Sequence, residues 1–266
     1  MIAAAMRRHL RDFVCAVLGT GIVAAPAAAQ DLFEIQVYPY ETVDPHRTMA
    51  EVHMNFFPSG TKDAAPGEFP MNQQMHLTLE VTHGFAKYFE CAGYLVTAAY
   101  VPNHGARFAG ARLRPRFRLP EFKSFPFKVS LSFEYAFNRP GFDPNSQTLE
   151  IRPIFEREQG RLYLSINPDL GLAVKGPDAG AAPAFEPNFK VGWDFTHVVQ
   201  AGIEYYAETG SVRHFDPWSD EHHIIFGAAD LNVSPVWELN FGLGRGITGT
   251  SEQWIVKAIV GYRFKR

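Results

Sequence analysis

Apolar and polar residues alternate with a period of two over most of the chain after residue 46. The pattern is clearest in the last segment, 253–264. One face of this segment carries Trp254, Val256, Ala258, Val260, Tyr262 and Phe264, and the other carries Ile255, Lys257, Ile259, Gly261 and Arg263. A strand with one side against lipid and the other towards an aqueous lumen has this period and an aromatic end. The alternation therefore predicts β-strands that cross a membrane.

Twelve segments have a length and pattern suited to such strands: 47–58, 74–84, 87–101, 106–119, 127–139, 146–157, 161–172, 185–196, 198–209, 222–233, 236–247 and 253–264. Each is long enough to cross a bilayer as a tilted strand. Lipid offers no partner to the amides of an edge strand, so the sheet must close. The sequence predicts an all-β fold: a transmembrane up-and-down antiparallel β-barrel over residues 47–266, with twelve strands favoured and ten or fourteen left open.

The connections between these segments alternate between short and long, which predicts the topology. Short ones fall at residues 83–86, 158–160, 196–197 and 234–235, and longer ones at 59–73, 139–145, 171–184 and 210–221. Bacterial barrels place short turns in the periplasm and long loops outside the cell. Residues 30–46 are then a periplasmic N-terminal extension, with a plug formed by Leu32 to Tyr40 as the open alternative. Pro115 lacks an amide donor, so a bulge or a broken ladder bond is expected there.

The amino end has the pattern of a secretory signal peptide. Three arginines precede an apolar run at residues 13–25, and a small-residue stretch ends at Ala29. The apolar run is too short to span a bilayer as a helix, so we expect export and cleavage after Ala29 rather than an uncleaved amphipathic helix. The mature chain then keeps one cysteine, Cys91, and makes no intramolecular disulfide.

The carboxy end resembles the C-terminal assembly signal of Gram-negative outer-membrane β-barrels. Lys257, Tyr262 and Phe264 fit that signal, whereas Ile259 stands where it has a glycine. The phrases EIQVYPYET, LEVTHGF, GIEYY and IVKAIVGYRF also resemble a poorly characterised kind of proteobacterial outer-membrane barrel. The resemblance implies the cell outer membrane as the location, with lipid and the barrel-assembly machinery as partners, and it leaves function open.

Composition narrows the alternatives. The formal net charge is −3, and three arginines and one aspartate of the signal peptide contribute +2, so the mature chain is near −5. Without a basic surplus, nucleic acid is not an expected partner. After Ala25 no long apolar run suggests a membrane helix. A soluble periplasmic sandwich or barrel is the competing fold, but it predicts a polar outer face, whereas the alternating face here is mainly Leu, Val, Phe, Tyr and Trp.

A row of four arginines carries the main candidate chemistry. Arg112, Arg114, Arg116 and Arg118 share one face of the segment ARLRPRFRL. An arginine facing lipid at the midplane costs about 2–4 kcal/mol, so these side chains must face the lumen. The other charged residues expected to line the lumen are Glu90, Glu134, Glu150, Arg152, Asp194, Glu204 and Glu238. The favoured interpretation is a structural ion-pair ladder, and the alternative is a field that selects small anionic or zwitterionic solutes.

No motif for catalysis, a metal or a cofactor stands out. His214, His222 and His223 bracket an acidic loop, but adjacent histidines on a strand point to opposite sides, so a solvated polar loop is favoured. Serine-nucleophile, zinc and phosphate-loop motifs are missing from the sequence, so an enzyme is not expected. The sequence thus favours a small passive channel for small polar or anionic solutes. A closed-lumen structural or envelope-interaction barrel is the alternative, and a rim enzyme acting on lipid is less favoured.

Overall fold

A computed structural model describes residues 32–64, 66–122 and 124–264. The predicted signal peptide and its cleavage after Ala29 lie outside these residues. The strands are β1 Thr48–Ser59, β2 Met75–Ala86, β3 Phe89–Val101, β4 Gly105–Arg118, β5 Lys128–Asn138, β6 Gln147–Gln159, β7 Leu162–Lys175, β8 Ala184–Asp194, β9 Val199–Glu208, β10 Gly210–Ser211, β11 His214–Phe215, β12 His222–Leu231, β13 Trp237–Gly246 and β14 Trp254–Arg263. Within the described residues, no helix is both long and apolar enough to cross a membrane.

Twelve long strands close into an antiparallel barrel. Each pairs with its neighbours along the chain, and β1 pairs with β14 in the register Val52↔Val260, which completes the ring. Strand β9 pairs with both β8 and β12, and the short β10–β11 hairpin adds to the edge of β8 through Ser211↔Ala184. The all-β transmembrane barrel with twelve strands, predicted from the alternation, is confirmed.

The predicted segments match the twelve long strands with end errors of three residues or fewer, the largest being at Lys175. The turn placed at residues 83–86 is wrong, because β2 continues to Ala86 and the turn is Lys87–Tyr88. Pairing of His83 with Cys91 and of Gly84 with Glu90 extends the ladder through that stretch. At Pro115 the β4–β5 pairing is interrupted, while the register on either side is unchanged. A proline interrupts the ladder here without producing a bulge.

The barrel is polar inside and apolar outside. Along its wall Leu79, Leu95 and Leu113 are 42%, 50% and 53% exposed, whereas the neighbouring Glu80 and Arg114 are 1% and 2% exposed. A water-soluble fold would bury the leucines and expose the charges. The exposed apolar band therefore has hydrocarbon as its solvent, as the strand alternation requires.

The two ends of the barrel differ in their connections. We call one end the turn end; it carries the turns 87–88, 119–127, 160–161, 195–198 and 232–236, together with the start of β1 and the end of β14. The opposite end is the loop end; it carries 60–74, 102–104, 139–146, 176–183, 209–221 and 247–253. Exposed aromatic side chains lie near both ends, among them Phe195 and Phe264 at the turn end and Phe215 and Trp218 at the loop end. Aromatic girdles of this kind mark the two membrane interfaces.

Residues 32–43, which we call the N-terminal segment, have extended backbone and belong to no strand. Leu32, Ile35 and Val37 are buried in one cluster with inward-facing apolar residues of β1, β9, β12 and β14. Phe33 is buried in a second cluster with the inward-facing residues of β3. Contact with strands from opposite parts of the ring is geometrically possible only from within the barrel, so the segment lies in the lumen.

Candidate functional site

The N-terminal segment runs along the lumen from the loop end to the turn end. Near the loop end, the Leu32 carbonyl accepts a hydrogen bond from Asn55 Nδ2 at 3.1 Å. Near the turn end, the Tyr40 amide donates to Glu156 Oε2 at 2.8 Å, and the Val43 amide donates to an inward carboxylate of β3 at 2.6 Å. The chain then turns at the rim and enters β1. Residues 32–43 thus occupy the space through which a solute would pass.

Tyr38 is the central anchor of this segment. The guanidinium carbons of Arg114, Arg116 and Arg152 lie 4.7, 5.5 and 4.3 Å from its ring centroid. Its hydroxyl lies 3.1 Å from the hydroxyl of Tyr94. Cations over an aromatic face are attracted by the ring quadrupole, more strongly when water is excluded. Three strands therefore converge on one side chain of the segment.

The backbone at Tyr38 is held as well. Its amide donates to Asn167 Oδ1 at 2.7 Å, and its carbonyl accepts a hydrogen bond from Ser165 Oγ at 2.8 Å. Two side chains of β7 thereby satisfy backbone groups that would form ladder bonds in a strand. Because the interior offers no sheet edge to this segment, its amides and carbonyls must find side-chain partners.

The four arginines of β4 lie on the lumen side and are paired. Arg114 and Arg116 share Glu90, with nitrogen–oxygen distances of 3.3 and 2.7 Å, and Arg114 also contacts Glu80. The outer two members of the row pair as Arg112 with Glu134 at 3.0 Å and Arg118 with Glu41 of the N-terminal segment. Arg116 also donates to the carbonyls of Pro39 and Glu41, at 3.2 and 2.6 Å. The row therefore holds the segment as well as the barrel wall.

The other predicted lumen residues fall into three places. Midway along the barrel, Arg152 pairs with Glu150 at 2.8 Å and with Asp169 at 2.9 Å. Glu204 pairs with Lys190 at 3.3 Å and with Lys257. Asp194 and Glu238 lie apart from both groups at the turn end, where they contact Gln200 at 2.8 Å and Arg263 at 2.5 Å. These two residues do not join the central network.

The residues of the proposed assembly signal have distinct surroundings. Lys257 faces inward and is 1% exposed; besides Glu204, its Nζ contacts the carbonyl of Ile35 at 3.1 Å. Tyr262 and Phe264 face outward at the turn end with ring centroids 5.2 Å apart. The sequence singled out Lys257 only as part of an end motif and missed its bond to the N-terminal segment. Its role in assembly stays a prediction.

Above the tip of the N-terminal segment, the loop end encloses a cavity of about 1160 Å³, which we call the vestibule. Its floor includes Leu32 and Phe33. Its charged lining is mostly acidic: Asp63, Glu68, Glu134, Asp143, Glu150, Asp178, Glu186, Asp216, Asp220 and Glu252 against Lys62 and Arg112. In the loop after β5, burial raises the pKa of Asp143 to about 6, against the opposing effect of the Asn145 amide. The vestibule was not expected from the sequence, because its acidic residues come from separate loops and strands.

The histidines predicted around the acidic loop lie in different environments. His214 is exposed, whereas His223 is buried with Nε2 2.7 Å from Glu221 and its ring stacked on Trp218 at 3.9 Å. Within the described residues, the one group with metal-ligand spacing is Glu51, His53 and Glu80, whose donor atoms lie within 4.8 Å of one another. Glu80 already pairs with Arg114 and with His53 at 3.2 Å, so its charge is engaged.

Known structures place this architecture in a class. No family model and no curated protein matches the sequence. Among solved structures, the chain is similar to the COG4313 outer membrane channel from Pseudomonas putida F1, with 11% identity, a TM-score of 0.62 and coverage of 87% of this chain and 100% of that chain. It is also similar to the KdgM porin, with 11% identity, a TM-score of 0.53 and coverage of 82% and 99%. The NanC porin follows with 7% identity, a TM-score of 0.51 and coverage of 83% and 100%. The chain therefore has the fold of outer-membrane β-barrels.

Proposed function

We propose that this protein is a passive outer-membrane channel for small polar solutes, with a lumen constricted by its own N-terminal segment. The observation that carries the proposal is a polar, water-compatible interior in a closed barrel with an apolar outer wall. A barrel of this strand number is wider than the filled eight-strand barrels and narrower than the large porins. The fold shared with outer-membrane channels supports both the location and the passive mode. Export through the predicted signal peptide and insertion by the barrel-assembly machinery belong to the same proposal.

The charge of the solute is a separate part of the proposal. The alternative of anionic solutes rests on Arg112, Arg114, Arg116 and Arg118, and it draws support from one similar structure, titled as the KdgM porin in complex with disordered oligogalacturonate. In this chain, however, carboxylates pair with all four arginines, and Tyr38 covers two of them. Paired guanidinium groups exert a weak net field. We therefore favour small polar solutes and treat anion selection as the alternative.

The experiment is single-channel recording in planar bilayers on refolded mature chain and on a variant lacking residues 32–41. We expect small or infrequent conductance steps from the wild type and steps several-fold larger from the deletion variant, because the deletion removes the material that fills the lumen. A variant with residues 232–236 shortened serves as the control, since this connection lies at the turn end and contributes nothing to the vestibule lining. Reversal potentials in a salt gradient report anion against cation preference.

A specific observation favours one second candidate, a closed-lumen structural or envelope-interaction barrel. The N-terminal segment is buried and bonded to β1, β3, β4, β6, β7 and β14, so it could close the lumen permanently. In that case the bilayers stay silent for the wild type, and only the deletion variant conducts. Silence from both proteins would contradict the channel altogether. The similar structures named above are titled as channels and porins, so a rim enzyme acting on lipid stays the less favoured alternative.

A further inference from the structure

The wall of the vestibule carries more carboxylates than the arginines around it neutralise. Adjacent strands β5 to β8 contribute the inward carboxylates Glu134, Glu150, Asp169 and Glu186, which we call the acidic wall; three of them line the vestibule, and Asp169 is fully buried beside them. Glu134 lies directly opposite Glu150, and Asp169 lies directly opposite Glu186. Like charges that face each other across an antiparallel pair destabilise the sheet. Because this like-charge contact occurs at two positions, nearby cations are needed to offset the repulsion.

Two arginines supply part of that compensation. Arg112 pairs with Glu134 at 3.0 Å, and Arg152 pairs with Glu150 and Asp169 at 2.8 and 2.9 Å. The side chain of Glu186 makes no hydrogen bond or ion pair with any residue that the structure describes, although the residue is only 8% exposed and lines the vestibule. Asp169 Oδ1 is also buried without a partner in that part of the chain. Four carboxylates thus face two guanidinium groups.

The room for Glu186 is provided by the strand beside it. A Cβ atom at Gly171 would lie 2.6 Å from Glu186 Oε1, so the glycine allows the carboxylate to lie against β7. A buried, unpaired carboxylate is costly, and the cost falls when a cation binds next to it. A cation supplied from outside the chain would remove that cost.

The remaining lining indicates what kind of cation fits. An aromatic row lines the vestibule. In this row the ring of Phe142 lies between those of Phe33 and Phe69, with centroid distances of 5.6 and 5.2 Å respectively. The cavity, about 1160 Å³, is larger than a single hydrated metal ion needs and suits an organic molecule. The carboxylates of the acidic wall are not among the described groups with metal-ligand spacing. Aromatic faces next to carboxylates recognise alkylammonium groups through ion pairing and cation–π attraction.

We propose that the vestibule binds an organic cation, an ammonium group attached to an apolar body, with the ammonium at Glu186 and the body against Phe33, Phe69 and Phe142. The proposal deepens the proposed function by naming a solute class, and it rests on that function only for passage across the membrane. Binding itself requires an intact loop end, and it does not depend on whether the lumen conducts.

The test is isothermal titration of the refolded mature chain in detergent micelles at a pH well above 6, where Asp143 is ionised. The probes are benzyltrimethylammonium, the neutral benzyl alcohol, the anionic benzenesulfonate and Mg²⁺. We expect saturable binding of the ammonium probe, and affinities for the other three that are lower by roughly tenfold or more, as loss of one charge-assisted contact implies.

Two variants and a control locate the site. Glu186→Gln keeps the shape and removes the charge, and it should weaken ammonium binding by about tenfold. Phe142→Leu should weaken the binding of benzyltrimethylammonium a few-fold, a typical effect of losing one aromatic face. Glu121→Gln changes an exposed carboxylate at the turn end and should leave binding unchanged. A mobility difference between boiled and unboiled samples verifies that each variant forms the closed barrel.

The contrary outcomes are distinct. Equal binding of benzenesulfonate, or no effect of Glu186→Gln in a folded barrel, overturns the proposal. Preferential binding of Mg²⁺ that is lost in Glu186→Gln replaces the organic cation by an inorganic one and also overturns it. Absence of binding of all four probes means that Glu186 is neutral and unliganded, which contradicts the proposal. Conductance without binding contradicts only this inference, whereas binding without conductance contradicts only the proposed channel.

Discussion

Replacing Tyr38 with alanine should release the N-terminal segment from the lumen. The ring lies between three guanidinium groups, 4.3 to 5.5 Å from its centroid, and its hydroxyl meets that of Tyr94. The arginines keep their carboxylate partners in the variant, so no buried charge is left alone. The change therefore weakens the seated segment without dismantling the barrel wall.

The magnitude follows from these contacts. A cation–π contact contributes about 0.5–1 kcal/mol at the low end of its range, so three contribute roughly 2 kcal/mol when one ring is shared. The hydroxyl bond adds about 1 kcal/mol. A loss of about 3 kcal/mol shifts the equilibrium between seated and released segment by a factor on the order of 100. Tyr38→Phe keeps the ring and loses the hydroxyl, so its expected shift is only about fivefold.

The assay is the fraction of time that single channels spend in the larger conductance state, compared among wild type, Tyr38→Ala and Tyr38→Phe. Tyr88→Ala is the matched control, because Tyr88 also lies near a cation, Arg118 at 5.8 Å, but at the turn outside the strands. The order alanine, then phenylalanine, then wild type supports the anchoring role. Equal behaviour of Tyr38→Ala and the control would refute the reasoning, since the ring would then contribute nothing to seating.

Three further predictions concern the lumen and its loops. Burial raises the pKa of Asp143 to about 6, so this carboxyl gains a proton as the pH falls below that value. Ammonium binding in the vestibule should therefore weaken below pH 6, and titration calorimetry should show a flatter dependence of binding affinity on pH for Asp143→Asn. Lys257→Met removes the charge-assisted bonds of this side chain to Glu204 and to the Ile35 carbonyl, whereas Glu204 keeps Lys190 at 3.3 Å. The free energy of unfolding should therefore fall by about 2 kcal/mol in urea titrations of vesicle-inserted protein, and an unchanged value would contradict the pairing. Gly84→Ala brings a Cβ within 2.3 Å of two carbonyl oxygens where the segment leaves the lumen, and chymotrypsin, whose sites in the segment include Phe33 and Tyr40, should then cut it faster than in Gly93→Ala, a site with no atom within 4 Å.

The strands could be predicted from the sequence because lipid imposes a strict period. Every second side chain of a barrel strand meets hydrocarbon, and a slip of one residue would expose a charge such as Arg114 to it. The strand ends were therefore predicted to within three residues. Turn positions were less certain, as at Gly84, because a glycine is compatible with either a turn or a strand.

The occupied lumen was harder to predict, although a signal for it exists. Strand β3 carries Ala92, Tyr94, Val96 and Ala98 on its inward face, and β14 carries Ile255 there. An inward face that met only water would not need such residues. In the structure these apolar patches pack against the N-terminal segment or complete its clusters. Strands with apolar residues on both faces therefore indicate where a barrel buries a part of its own chain.

The sign of the field in the lumen could not be predicted from one strand. Taken alone, the arginine row of β4 suggests a positive lumen, but each guanidinium group meets a carboxylate from β2, β3, β5 or the N-terminal segment. Farther round the ring the balance reverses, since Glu186 has no cation of its own. The net charge on a barrel wall depends on the ion pairs that each side chain makes with neighbouring strands and with the segment in the lumen. The charge selectivity of a channel therefore depends on the charged side chains that remain unpaired. Here that remainder is negative and opens to the vestibule, where a solute arriving from the loop end meets it before it meets Arg114, Arg116 and Arg118.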